Sequence, residues 1–155
     1  MIDLNLSAMI HLPVQQIFDF VSTPENDFQW QYGTLASSRL SEGVGEPGTF
    51  FRSVGHILGR RMLSTFEVTE YELNRKYCFK SLSGPLKSHT CYTFDLANDG
   101  SRIHISAQVN PVNALQLNED VLEKKMRKQL KENLTLLKEI LEARRMPLNT
   151  PAQIN

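Results

Sequence analysis

Two common signatures are missing from this sequence: an excess of one charge and a long apolar run. Seventeen Lys and Arg residues balance seventeen Asp and Glu residues, so the formal net charge is zero at pH 7. Without a strong positive field, the chain is not expected to bind nucleic acid. No apolar stretch approaches the roughly 18 residues that a transmembrane helix requires, so no membrane span is expected.

Cysteine is scarce, and the N-terminal segment carries no sign of export. The first twelve residues lack the basic start and the continuous apolar run of a secretory signal, which predicts a cytoplasmic location. Cys78 and Cys91 are the two cysteines of the chain. Because the cytoplasm keeps thiols reduced, we expect both to be free.

Motifs for metal, hydrolase and dinucleotide chemistry are also missing. The four histidines, His11, His56, His89 and His104, show no metal-ligand spacing, and no serine-centred nucleophile elbow is present. The glycines of the 43–48 segment do not precede a helix, as a dinucleotide-binding fingerprint would require. We therefore expect no metal, no cofactor and no catalytic residue of these classes.

The length and composition favour one globular domain. At 155 residues with 41% hydrophobic residues, the chain is long enough to bury a core of its own. We predict a single domain over residues 1–146 and a flexible tail over residues 147–155, where two prolines and no charge occur. The sequence leaves open whether the protein is a monomer or a homodimer.

The N-terminal third predicts a strand followed by two short helices. Apolar residues occupy the even positions from Ile2 to Leu12, the period-two pattern of a strand with one buried face. Pro13 suits the first turn of a helix whose apolar residues end at Val21. A second helix or turn is predicted over Glu25–Trp30.

Six segments rich in β-branched and aromatic residues follow without intervening helices, which favours an antiparallel meander. They are Thr34–Leu40, Gly48–Gly55, Arg60–Tyr71, Lys76–Leu82, Leu86–Ala97 and Arg102–Val109.

Turn residues predict the register of the last hairpins. A turn at Asp99-Gly100 would pair Phe94 with Ile105, and a turn at Gly84-Pro85 would pair Tyr92 with Tyr77. Both turns place the same apolar face inward. On the outer face, Cys78 would oppose Cys91 and His104 would oppose Asp95, which we interpret as a solvent-side pair. A disulfide is not expected, because directly paired cross-strand cysteines are strained.

A long amphipathic helix is predicted from Asn118 to Arg145. Asn113 or Asn118 can cap it, and apolar residues follow at three- and four-residue spacing. Its basic face between Lys124 and Lys131 also carries acidic residues, as an ordinary solvated face does. The apolar stripe requires a surface to pack against, and the sheet provides one.

This order of elements resembles the helix-grip fold. The resemblance rests on the opening alternation followed by Leu12–Val21 and Trp30, on Val44–Arg52, and on Gly59-Arg60-Arg61 followed by Glu67–Tyr71. From about Ile2 to Arg145 the sequence resembles the polyketide cyclase/dehydrase branch of the START-related, or SRPBCC, superfamily. The resemblance implies an α+β fold: a curved antiparallel sheet of about seven strands around a long C-terminal helix, with two short helices after the first strand.

The resemblance also implies a hydrophobic cavity between sheet and helix. Tyr77 and Tyr92 are candidates to orient a polar group of the ligand, because a buried hydroxyl requires a partner. For most of the other candidates, a simple core role is an open alternative. The full set of candidate ligand-binding residues is Trp30, Arg52, Ser64, Phe66, Tyr77, Phe79, Tyr92, Phe94, Leu122, Met126 and Leu130, of which the last three would form a lid contributed by the C-terminal helix.

The direction of Arg52 depends on the third hairpin. If this hairpin turns at Leu58-Gly59 rather than one residue earlier, every side chain on its strands changes face. An inward Arg52 could balance a carboxylate or phenolate, whereas an outward one is a solvated arginine.

Three functions are compatible with these features. The first is non-covalent binding of a small hydrophobic molecule such as a polyketide, a lipid, a quinone or another aromatic compound. The second is a cyclase or dehydratase, which would need a pocket tyrosine or histidine as acid or base. The third is a protein-interaction module. The sequence favours binding over catalysis, because the predicted register places three of the four histidines off the inward face or leaves their direction undecided.

Overall fold

The computed structural model describes residues 1–42, 45–57, 59–111 and 118–149. Seven strands, three helices and a 3₁₀ turn account for most of these residues. In chain order they are β1 (Ile2–Ile10), α1 (Val14–Val21), the 3₁₀ turn (Pro24–Asn26), α2 (Asp27–Trp30), β2 (Thr34–Arg39), β3 (Phe50–Ile57), β4 (Arg60–Glu72), β5 (Lys76–Ser83), β6 (Leu86–Ala97), β7 (Gly100–Pro111) and α3 (Glu119–Asn149).

All seven strands form one antiparallel sheet, in the order β1-β7-β6-β5-β4-β3-β2. The short helices carry the chain from β1 at one edge to β2 at the other, and a meander then returns it to β7 beside β1. The predicted α+β helix-grip architecture is confirmed. None of the helices in the described ranges is long and apolar enough to cross a membrane.

The hairpin between β5 and β6 has the predicted register. Tyr77 lies opposite Tyr92 and Cys78 opposite Cys91. In the hairpin between β3 and β4, Ile57 pairs with Arg60, so the hairpin closes between these two residues, and Phe51 rather than Arg52 is buried. The open question about this turn is thereby answered.

The predicted register of the last hairpin is wrong by two residues. Ala97 pairs with Gly100, so Asn98-Asp99 forms the turn and Phe94 lies opposite Ile103. Gly100 has a different role: a Cβ atom there would collide with the carbonyl oxygen of Ile10 at the end of β1. Because strand side chains alternate with a period of two, a two-residue shift keeps every side chain on its predicted face.

The shift changes individual partners on the outer face and at the hairpin end. His104 lies opposite Thr93, and Asp95 lies opposite Arg102, so the predicted pair of Asp95 and His104 does not form. Leu96 lies opposite Ser101 beside the turn and is 83% exposed.

Helix α3 begins after Asn118, whose side-chain Oδ1 accepts hydrogen bonds from the backbone N–H groups of Asp120 and Val121. The alternative cap, Asn113, lies outside the described residues. The helix continues to Asn149, so residues 147–149 of the predicted tail are helical. Residues 150–155 lie outside the described part of the chain.

The buried apolar residues form two clusters. The larger one joins α1 and the C-terminal half of α3 to the centre of the sheet, around Phe18, Phe94 and Leu137. The smaller one lies at the β1–β7 edge, where Leu122 packs against Ile2 and Val109. Helix α3 is thus held along its length by the sheet and leaves the β2 edge to be covered by α2.

Candidate functional site

A cavity of about 180 Å³ lies between α2 and the β2 edge of the sheet, and it is partly open to solvent. An apolar cavity of about 150 Å³ in another protein is large enough to hold benzene. The space therefore suits a compact organic molecule. The described residues that line it are Asp27, Gln31, Tyr32, Gly33, Thr34, Phe51, Ser53, Gly55, His56, Met62, Ser64, Phe66 and Phe79.

One wall of the cavity is aromatic. Phe51, Phe66 and Phe79 project from the neighbouring strands β3, β4 and β5, with ring centroids 5.0 to 5.5 Å apart. The rings of Phe51 and Phe66 are stacked, and the ring of Phe79 meets both edge to face. Such packing fixes the rings and presents a rigid apolar surface to the cavity.

The opposite wall is polar and comes mainly from α2 and the residues after it. Asp27, Trp30 and Gln31 share one side of this helical turn because they are spaced three and four residues apart. Gln31 donates a hydrogen bond from Nε2 to the hydroxyl oxygen of Tyr92 across 3.4 Å. The wall therefore combines carboxyl and amide groups, and Tyr32, 77% exposed, lies towards the solvent.

The carboxyl group of Asp27 is the most unusual feature of the cavity. The residue is only 8% exposed, and no hydrogen bond to its side chain is present within the described part of the chain. Burial raises the pKa of this carboxyl well above its ordinary value of 3.8, and the negative charge of Glu25 raises it further. The structure therefore favours the neutral acid.

Two further polar groups are buried beside this wall. Trp30 Nε1 and the Tyr77 hydroxyl have no hydrogen-bond partner among the described residues. Burial raises the pKa of Tyr77, and a negative charge on Asp27 would raise it further. Burial, Asp27 and Tyr77 likewise raise the pKa of Tyr92, while the hydrogen bond from Gln31 lowers it. Both phenols are therefore neutral at physiological pH.

The predicted site residues separate into two groups in the structure. Ser64, Phe66 and Phe79 line the cavity. Trp30, 1% exposed, belongs to the central core with Tyr77, Tyr92 and Phe94, where its ring meets that of Tyr92 edge to face. These four residues lie in the larger apolar cluster and are not among the described residues that line the cavity.

The three residues of α3 that were predicted to form a lid pack towards the opposite edge of the sheet from this cavity. Leu122 and Met126 pack against β1 and β7, and Leu130 bridges the two apolar clusters. Because β1 and β2 are opposite edges of the sheet, none of the three is among the described residues that line the cavity.

Arg52 also lies away from the cavity and takes the outward one of its two predicted directions. It is exposed and opposite Thr65, because Phe51 and Ser53 occupy the inward positions on either side of it. His56 is exposed at the cavity rim, and its backbone N–H donates a hydrogen bond to the carbonyl oxygen of Gly33. Histidine is thus present at the rim but not buried in the wall.

The sequence-based reasoning missed Asp27 and Phe51. The signal for Asp27 was its three-residue spacing from Trp30, since a helical turn that buries the tryptophan also turns the aspartate inward. For Phe51 the signal was ambiguous: either residue of the Phe50-Phe51 pair could face the core until the hairpin register was known.

On the outer face of the sheet, Cys78 and Cys91 are joined by a disulfide bond, which corrects the expectation of free thiols. Their Cα atoms lie 4.1 Å apart, the close approach of a directly opposed antiparallel pair. A Glu70 oxygen lies within 4.8 Å of both sulfurs. Disulfide sulfurs offer no thiolate, so this form is not a metal site. The free-thiol expectation followed from the cytoplasmic location, which stays a prediction.

An antiparallel sheet with a long C-terminal helix and a small cavity under its short helices defines a helix-grip protein with a ligand-sized cavity. The sequence matches the family described as polyketide cyclase / dehydrase and lipid transport over residues 1–142. The chain belongs to this family. A comparison with curated proteins gives no match.

Solved structures show the same fold at low sequence identity. A START superfamily protein from Mycobacterium smegmatis is 15% identical, with a TM-score of 0.80 over 92% of this chain and 99% of that one. TTHA0849 from Thermus thermophilus is 15% identical, with a TM-score of 0.77 over 91% and 97%. The di-domain ARO/CYC BexL from the BE-7585A biosynthetic pathway is 12% identical, with a TM-score of 0.72 over 92% and 47%.

Proposed function

We propose that this protein binds a small, largely apolar molecule in the cavity between α2 and the β2 edge of the sheet. The observation that carries the proposal is the cavity itself, about 180 Å³ with three phenylalanine rings on one side and polar groups on the other. Binding sites for small molecules are typically concave and apolar, with a few convergent polar groups.

The likeness to other proteins supports a ligand of this kind. The family description includes both polyketide cyclases and lipid transport, and BexL is described as an ARO/CYC from a biosynthetic pathway. A polyketide, a lipid fragment, a quinone or another aromatic molecule fits that range. The size of the cavity favours compact aromatic compounds over long acyl chains.

Apolar burial is the main source of affinity that the cavity offers. At about 25 cal/mol per Å², burying roughly 300 Å² of ligand surface contributes about 7 kcal/mol before the entropic cost of association. Because a micromolar dissociation constant corresponds to about 8 kcal/mol, the polar groups of the wall have to contribute to binding of that strength. The rigid aromatic wall lowers the cost further, because its rings are already ordered.

Titration with naphthalene, followed by its fluorescence and by native mass spectrometry, tests the proposal. Ser64→Leu places a larger side chain in the cavity and should weaken naphthalene binding about tenfold or more. Thr65→Leu is the matched control, because Thr65 is the next residue of β4 and pairs with the exposed Arg52. It should leave the affinity unchanged.

Equal affinities in the wild type and Ser64→Leu, or no binding of naphthalene by the wild type, would contradict this assignment of the cavity. Thermal unfolding of both variants provides the structural control. Because Ser64→Leu adds apolar surface without removing a described hydrogen bond, its melting temperature should stay near that of the wild type.

A second candidate function is proton transfer to or from a bound carbonyl compound, and Asp27 is the observation that favours it. A carboxyl with a raised pKa in a cavity is a suitable general acid or base. In such a step the carboxylate removes a proton from the carbon next to the ligand carbonyl, giving an enolate, and then returns a proton to it.

Deuterium exchange distinguishes the second candidate from simple binding. 2-Tetralone, a bicyclic ketone with exchangeable hydrogens beside its carbonyl, is incubated with the protein in D₂O and followed by NMR. Catalysis by Asp27 predicts exchange faster than in buffer with the wild type, and loss of this acceleration in Asp27→Asn. The same rate in both proteins would leave binding as the function.

A further inference from the structure

Asp27 carries a cost in the folded protein that a ligand can offset. The side chain is more than nine-tenths buried in the cavity wall, and the described part of the chain offers its carboxyl no hydrogen bond. A buried polar group without a hydrogen-bond partner destabilises the folded protein, because it has lost most of its hydration. A leucine or phenylalanine at this position would avoid that cost, so the carboxyl group is positioned for something that enters the cavity.

The charges around Asp27 oppose an anionic ligand. Glu25 precedes it by two residues, and the Arg39 guanidinium that could neutralise this region is paired with Glu25 at 3.2 Å. From the sheet, Tyr77 and Tyr92 interact with Asp27 electrostatically as neutral phenols. The described lining residues include no Lys or Arg, and His56, from β3, is the one basic side chain among them.

The donors and acceptors around the cavity suit an uncharged oxygen group. A neutral carboxyl group donates one hydrogen bond and accepts others. The Nε2 group of Gln31 is used by Tyr92, while Ser53 and Ser64 add hydroxyl groups on the sheet side. A ligand carbonyl can accept from the Asp27 carboxyl, and a ligand hydroxyl can donate to it.

We propose that Asp27 is the polar anchor of the cavity and makes it selective for neutral aromatic molecules that carry a carbonyl or phenolic oxygen, against both hydrocarbons and carboxylates. This inference rests on the proposed binding function and adds the chemical class of the ligand to it. The aromatic wall of Phe51, Phe66 and Phe79 binds the ring system, and Asp27 on the opposite wall binds the oxygen.

Four probes with one bicyclic skeleton test the selectivity: naphthalene, 2-naphthol, 1,4-naphthoquinone and 2-naphthoate. Isothermal titration with the wild type should show 2-naphthol and 1,4-naphthoquinone binding about tenfold tighter than naphthalene, since one hydrogen bond contributes about 1.4 kcal/mol here. 2-Naphthoate should bind more weakly than naphthalene, because it brings a second acidic group into a cavity without Lys or Arg among its described residues.

Two variants isolate the contribution of Asp27. Asp27→Leu should lose the preference for the two oxygenated probes over naphthalene, because its side chain offers no hydrogen bond. Asp27→Asn keeps a donor and an acceptor of similar shape, so it should retain that preference. If Asp27→Leu does not fold, Asp27→Asn still provides a test, because its affinity for the probes should not depend on the protonation of residue 27.

The pH dependence is the second readout. Wild-type affinity for 1,4-naphthoquinone should fall as the pH rises and Asp27 loses its proton, because the carboxylate cannot donate a hydrogen bond to the carbonyl. Asp27→Asn should lack this fall over the same range. The remaining acids and bases around the site are the same in both proteins, so the difference between the two profiles belongs to residue 27. They are Glu25, His56, Tyr77, Tyr92 and Arg39.

The outcomes separate this inference from the proposed function. If the wild type binds none of the probes, the binding function itself is wrong. If it binds naphthalene but Asp27→Leu keeps the preference for 2-naphthol and 1,4-naphthoquinone, the cavity binds ligands and Asp27 is not its anchor. Tightest binding of 2-naphthoate, or a parallel pH profile in Asp27→Asn, would also overturn the inference.

Discussion

The side-chain amide of Gln31 donates a hydrogen bond to the hydroxyl oxygen of Tyr92, with Nε2 and the oxygen 3.4 Å apart. This bond joins the polar wall of the cavity to the centre of the sheet, because Tyr92 lies on β6 in the core. It also gives the buried Tyr92 hydroxyl a partner. The position of the residues after α2 therefore depends on a side chain of the central sheet.

A double-mutant cycle measures the value of this hydrogen bond. Gln31→Ala and Tyr92→Phe should each lower the free energy of unfolding by about 0.5–1.5 kcal/mol, the usual net value of a hydrogen bond. Their effects should not add, because each variant removes the same interaction. Urea unfolding of the four proteins gives the coupling energy, and strictly additive effects would show that the bond contributes nothing.

Tyr77→Phe should behave differently from Tyr92→Phe. The Tyr77 hydroxyl is buried without a partner among the described residues, so its removal leaves no broken hydrogen bond. We expect the free energy of unfolding to stay equal or to rise by up to about 1 kcal/mol, because a desolvated hydroxyl is lost. A decrease as large as that of Tyr92→Phe, measured in urea, would mean that the Tyr77 hydroxyl has a partner.

The disulfide between Cys78 and Cys91 should stabilise the hairpin of β5 and β6. The two residues are 13 positions apart, and closing a loop of this length in the unfolded chain contributes about 3 kcal/mol in the chain-entropy treatment. Reduction with dithiothreitol should lower the free energy of unfolding by about 2–3 kcal/mol. The control is Cys78→Ala/Cys91→Ala, whose stability should not respond to dithiothreitol.

Mass spectrometry after alkylation shows directly whether the thiols are free. Full alkylation of the purified protein without prior reduction would contradict the disulfide. The compartment matters for this experiment, because disulfides persist where the surroundings are oxidising. Protein purified with and without iodoacetamide in the lysis buffer should be compared.

Stability at low pH should depend on Glu142, which joins α3 to the end of β1. Its Oε2 accepts hydrogen bonds from Lys138 Nζ at 2.8 Å and from the backbone N–H of His11 at 2.9 Å. Partial burial raises the pKa of Glu142, but the hydrogen bonds from Lys138 and His11 outweigh it and lower the pKa to about 2.

A lowered pKa in the folded state means that the unfolded chain takes up the proton first. The stabilisation by Glu142 is therefore complete above its ordinary pKa of 4.5 and is lost as the pH falls from there towards about 2. Glu142→Gln should flatten the loss of stability in this window and cost on the order of 1 kcal/mol at pH 7. Denaturant unfolding from pH 2 to pH 7 checks both, and an unchanged slope would contradict the prediction.

Local patterns were sufficient to predict the elements and the faces of most strands, whereas the face of β3 depended on its hairpin register. The alternation in β1 and the turn at Gly84-Pro85 both depend on residues close together in the chain. The turn led to the observed pairing of Tyr77 with Tyr92. The error in the β6–β7 hairpin has a tertiary cause. Asp99-Gly100 is a favourable turn on its own, but the contact between Gly100 and β1 requires the glycine inside the strand.

The cavity could be predicted only in part for the same reason. Ser64, Phe66 and Phe79 were expected to face inward and do line it, whereas Asp27 and Phe51 completed the site unexpectedly. The predicted lid residues Leu122, Met126 and Leu130 were correctly assigned to the apolar stripe of α3. The spacing of apolar residues along a helix does not determine which part of a sheet they cover.

The sequence by itself determined the order of strands and helices, the inward face of each central strand and the family of the protein, because periodicity, turn residues and motifs are written along the chain. The tertiary structure decided where the cavity lies and that Asp27 is buried in its wall. These features depend on residues far apart in sequence, whose distances are set by packing across the whole sheet.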